Sequence, residues 1–146
     1  MVKAKLIGIS IGAVILIVII AAVISNTSKT VKKAIVGANF IRDNTVSRAD
    51  LPPATITESQ AKGYAGRIMN DLSYWGWEFI LYDEMTALND ASIIMINNSF
   101  VENYADVYDY KYTNIGSLIK SEDLWPSPES RAFQDRCAIV LPNFSN

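Results

Sequence analysis

The sequence predicts a single N-terminal transmembrane helix followed by a small β-rich α+β domain. Three observations lead there. Leu6 to Ile24 is a run of 19 residues without a charge. Short β-capable segments recur after it, above all Tyr74 to Tyr82. The chain has 146 residues, half of them apolar, which leaves one domain of ordinary size once the run is set aside.

The run comes first. A helix rises about 1.5 Å per residue, so a segment of this length spans roughly 28 Å, close to a bilayer's hydrocarbon core. A cleaved signal peptide is the rival reading: Lys3 and Lys5 supply a positive start, and Val23-Ile24-Ser25 is a tolerable cleavage site. A signal core is usually about 7–15 residues, however, so the length favours a retained anchor. Ala4, Gly8 and Gly12 recur every fourth residue along one face, where small residues let a second helix approach. That face predicts self-association within the bilayer. Residues 1–25 are therefore assigned to the anchor. Polar, basic residues 26–33, with Lys29, Lys32 and Lys33, form a juxtamembrane linker, and residues 34–146 form an extracytoplasmic domain.

Within that domain, Ala34 to Ala38 is short, apolar and β-capable. Ser47 is placed to cap a single turn over Arg48 to Leu51, which Pro52-Pro53 ends. Thr57 is placed to cap a short helix to Lys62, with Gly63 at its end. Gly66 to Met69 begins a strand. On a strand over Tyr74 to Tyr82, Trp75, Trp77, Phe79 and Leu81 share an apolar face. Residues 83–104 fit a helical stripe or a strand and turn equally. Cys137 to Leu141 is a last strand, stopped by Pro142.

Composition narrows the chemistry. The chain has no histidine, which excludes a Ser-His-Asp triad, a Cys-His dyad and imidazole-ligated metal. Its one cysteine excludes an internal disulfide and a Cys₄ zinc site. A net charge of −2 and a pI near 5.1 argue against nucleic acid as a partner. Charge is uneven, with a net of +4 over residues 26–70 and −9 over residues 71–129. Glu102, Asp106 and Asp109 lack the glycine-bent loop of a calcium site. Asp83 and Glu84 are adjacent and point apart. No set of residues converges as acid, base and nucleophile, and no cofactor is implied. Trp75, Trp77, Tyr108 and Tyr110 are the candidate aromatics for a sugar or a protein partner; alternation with apolar neighbours places the two tryptophans in the core instead.

One pattern resembles a family. Ala34-Ile35-Val36-Gly37-Ala38, then Ile41 to Leu51 with Thr45-Val46 and Asp50-Leu51, is similar to the opening of a SAF domain. Gly66-Arg67-Ile68, Asp71-Leu72, Gly76 and Glu78 resemble that family's second half, and Arg136 to Pro142 its closing strand. The likeness covers residues 31–88 and 131–142. An N-terminal membrane helix before such a domain resembles the SAF protein of Flp/Tad pilus assembly, which implies a β-clip fold and a non-catalytic role. The expected function is thus a membrane-anchored assembly or structural subunit of an envelope or surface machine. Its partners would be the lipid bilayer and other protein subunits, including further copies through the transmembrane helix. The alternatives are a sugar or peptidoglycan-binding module and a minor subunit of a membrane-containing virion or filament.

Overall fold

The computed structural model describes residues 11–73 and 78–142, with the backbone alone for 11–24. Every regular element among them is helical: α1 (Ile11–Asn44), α2 (Glu58–Ser73), α3 (Phe79–Thr86), α4 (Asp90–Asn103), α5 (Ile115–Glu122) and α6 (Pro128–Val140), with a 3₁₀ turn at Ala105–Tyr108. No strand occurs among the described residues, so neither the β-rich domain nor the β-clip likeness stands. The four segments with β-capable composition lie on helices instead: residues 34–38 on α1, 66–69 on α2, 79–82 on α3 and 137–140 on α6.

The reason is visible in caps and spacing. Thr57 Oγ1 accepts from Gln60 N at 3.2 Å while Gln60 Oε1 accepts from Thr57 N at 2.9 Å, a reciprocal capping box. Asn89, Asn114 and Ser127 cap α4, α5 and α6 in the same i to i+3 register, and Pro128 follows the last of them. Buried residues then recur at helical spacing: Ala61, Ala65, Ile68 and Asp71 on α2, and Ser130, Phe133 and Cys137 on α6. β-Branched content gives way to this tertiary burial. The α2 helix also continues through Gly63, ten residues past the predicted stop. A mid-helix glycine costs only about 1 kcal/mol against alanine.

The chain divides into two compact units, residues 1–36 and 37–146. In the second, α2 packs on α4, and α3 and α5 pack on α6. Leu81, Met85, Ile93, Ile96, Phe100, Ile115, Leu118, Ile119 and Phe133 are fully buried and form one core. The Tyr82 and Phe133 rings meet at 6.2 Å between centroids, and Arg136 pairs with Asp90 to join α6 to the start of α4.

An irregular strap, residues 45–57, crosses α4. Asn98 holds it at both polar groups of Val46, accepting from Val46 N at 2.9 Å and donating to Val46 O at 2.8 Å. Further along, Ser92 Oγ accepts from Thr55 N at 2.8 Å, and Asn89 Nδ2 donates to Pro53 O at 2.9 Å. Two polar residues on α4 and its N-cap Asn89 thus replace the sheet partners that the strap lacks. The expected turn is present inside it, with Leu51 N donating to Arg48 O at 3.1 Å.

The anchor is corrected as well. Among the described residues no helix is long and apolar enough to cross a membrane, which removes the basis for a single-pass protein and a membrane localisation. Part of the apolar run, Leu6 to Ser10, lies outside the described residues. The α1 helix does not stop where the run stops. It continues without a break through Lys29, Lys32 and Lys33, the stretch expected to be a linker, and ends at Asn44.

Candidate functional site

The residues singled out in sequence fall in different places. Ala4, Gly8, Trp75 and Trp77 lie outside the described residues, and Gly12 lies on the part of α1 described by backbone alone. Tyr108 is half-buried with its ring edge-on to Tyr112 at 5.4 Å. Tyr110 packs on Phe40 at 5.3 Å and covers Gly37, where a Cβ would collide with its hydroxyl. Both rings thus make packing contacts, and Tyr110 ties the end of α1 to the helical domain. The backbone there is left-handed at two successive residues, Asp109 at φ 48° and Tyr110 at φ 60°.

Buried chemistry is likewise committed to structure. Cys137 is fully buried, and burial pushes its thiol pKa up, which disfavours the nucleophilic thiolate. Burial also pushes the Tyr82 hydroxyl up, with the Asp71 carboxyl adding to the effect. Among the described residues no three His, Cys, Asp or Glu side chains gather as a metal site.

Two surfaces stand apart. The first is on α1, where all residues from 25 to 36 are exposed. Val31, Ile35 and Val36 are exposed to 51%, 56% and 54%. At about 100° per residue, Thr27, Val31, Ala34 and Ile35 share one face, and Lys29, Lys32, Lys33 and Val36 turn away from it. In sequence the lysines hide the interval of three and four residues between the apolar positions, so residues 26–33 read as a linker and Ala34 to Ala38 as a β-capable segment.

The second is a cleft of about 250 Å³ where α2, α4 and the strap meet, lined by Arg48, Glu58, Lys62, Met95, Asn98 and Glu102 among others. A smaller cavity, about 80 Å³, lies beside Asn97 and Asn114. The Asn97 amide is oriented by Ile115 N, which donates to its Oδ1 at 2.9 Å, and its buried Nδ2 has no partner among the described residues. A cavity of this size has room for ordered water beside that donor.

No family model, curated protein or solved structure matches the chain.

Proposed function

We propose that the chain is a non-catalytic assembly subunit that associates with further copies of itself through α1, along the face of Thr27, Val31, Ala34 and Ile35. The observation that carries this reading is the exposure of Val31 and Ile35, each more than half open, on a helix stretch with no buried residue from 25 to 36. An isolated helix rich in β-branched residues gains little from propensity and is stabilised chiefly by burying an apolar face. Val31 and Ala34, with Thr27 one heptad before Ala34, occupy a and d positions of a seven-residue repeat. Lys29, Lys32 and Lys33 then occupy f, b and c, so like charges of two copies stay apart and in water. Large and small residues alternate along the face, which lets two identical helices interlock.

Cysteine cross-linking tests this directly. The one native cysteine, Cys137, is fully buried and silent to mild oxidants. Val31→Cys and Ala34→Cys should give disulfide-linked dimers on oxidation, and Lys33→Cys and Val36→Cys should not. Equal linkage at all four positions, or none at any, contradicts the reading.

A further inference from the structure

The cleft between α2, α4 and the strap carries charges of both signs that do not pair. Arg48 and Lys62 are cationic, Glu58 and Glu102 anionic, and none of the four side chains makes a hydrogen bond or an ion pair among the described residues. Glu58 and Lys62 stand four apart on α2 with the glutamate first, the order that normally favours a pair on a helix. They remain separate and line the cleft. Arg48 is set by the strap, which Asn98 fastens at Val46 and the turn to Leu51 folds back. Met95 is the partly exposed apolar residue of the lining, Ala61 is fully buried beneath it, and Ser99 and Asn103 add polar groups at the α4 side.

The geometry points to a binding site for a small zwitterion, a free α-amino acid or a short peptide. Its carboxylate is met by Arg48 and Lys62, its ammonium by Glu58 and Glu102, and its side chain by Met95. A cleft of about 250 Å³ suits such a ligand and is small for a nucleotide or a drug-sized molecule. The charge balance selects the class. A simple anion would meet two carboxylates and a simple cation two basic groups, whereas a zwitterion satisfies all four.

The test is titration of the isotope-labelled full chain with L-alanine, L-leucine and L-alanyl-L-alanine, followed by amide resonances. Shifts are expected at 48, 58–62 and 98–103 with at least one of the three. N-acetyl-L-alanine and L-alaninamide, each blocked at one end, should bind about tenfold more weakly, the loss of one charge-assisted contact. Glu58→Gln with Glu102→Gln should weaken L-alaninamide and spare N-acetyl-L-alanine; Arg48→Gln with Lys62→Gln should do the reverse. These side chains hold nothing in the fold, so unchanged helical circular dichroism accompanies the loss. No shift with any of the three ligands at millimolar concentration overturns the proposal. So do blocked ligands that bind as well as their parents, and paired variants that weaken both blocked ligands alike.

Discussion

The Tyr82 hydroxyl donates to Asp71 Oδ2 at 2.9 Å, and both residues are buried. The other carboxyl oxygen of Asp71 accepts from Glu78 N at 3.0 Å, at the residue before α3 begins. One acidic side chain on α2 therefore fixes both the start of α3 and its buried tyrosine. An acid at a helix N-terminus also meets the positive end of the dipole. Removing one partner leaves the others unsatisfied in the core. Tyr82→Phe should destabilise by about 1–3 kcal/mol and Asp71→Ala by more, since it strands two donors at once. Urea unfolding followed by circular dichroism measures both.

The same pair sets a pH dependence. Burial and the Asp71 carboxyl raise the Tyr82 hydroxyl above its ordinary value, so the folded chain keeps a proton that the unfolded chain releases. The stability tied to it is complete below about pH 10 and falls as pH rises past that point. The buried Cys137 thiol acts in the same direction from about pH 8.5 upward. Stability should therefore decline in alkali, in two stages. Cys137→Ala should flatten the first and Tyr82→Phe the second. Unfolding free energies at several pH values between neutrality and strong alkali check the order.

Asn98 is the fastening of the strap, with one side chain satisfying both polar groups of Val46. Asn98→Ala should cost about 1–3 kcal/mol by stranding them. Exchange of the Val46 amide should accelerate well beyond that global loss, because the strap opens locally before the core does. Exchange at the core positions Ile93 and Ile96 should follow the global change alone.

Gly37 and Tyr110 form a lock that depends on a missing methyl. A Cβ at position 37 would meet the Tyr110 hydroxyl. Gly37→Ala should cost about 1–3 kcal/mol by forcing the ring aside. Tyr110→Phe, which removes the colliding oxygen but leaves the ring carbon Cζ at 3.0 Å, should recover part of that loss in the double variant. A double-mutant cycle by thermal or urea unfolding reads the coupling.

These contacts explain what the sequence makes legible. Thr57 and Ser47 are readable in sequence because capping is local: each cap acts on a neighbour two or three residues away. The turn from Arg48 to Leu51, ended by Pro52, is readable for the same reason. The helices themselves are not. Phe79-Ile80-Leu81-Tyr82 looks like a strand by composition, yet Leu81, Tyr82 and Met85 form a helical face against α6. Gly66-Arg67-Ile68-Met69 and Cys137 to Val140 repeat the case, since short apolar runs satisfy either period until a partner selects one. Of the candidate site, Tyr108 and Tyr110 are visible as aromatics, but their partners Tyr112 and Phe40 are set by tertiary packing. The cleft joins Arg48 to Glu102 across more than fifty residues, a pairing of elements that no local pattern announces. The face on α1 is hidden by the three lysines on the other side of the same turns.

The most direct measurement is the oxidation of variants that each carry one introduced cysteine along α1, from position 27 to position 36, in the full chain beside the buried Cys137. The account predicts dimers at 27, 31 and 34, and weak or absent linkage at 29, 32, 33 and 36, a period close to 3.5. Val31→Lys with Ile35→Lys, combined with Ala34→Cys, should abolish the dimer. Linkage without that period, or linkage that survives the two lysines, would contradict self-association through this face.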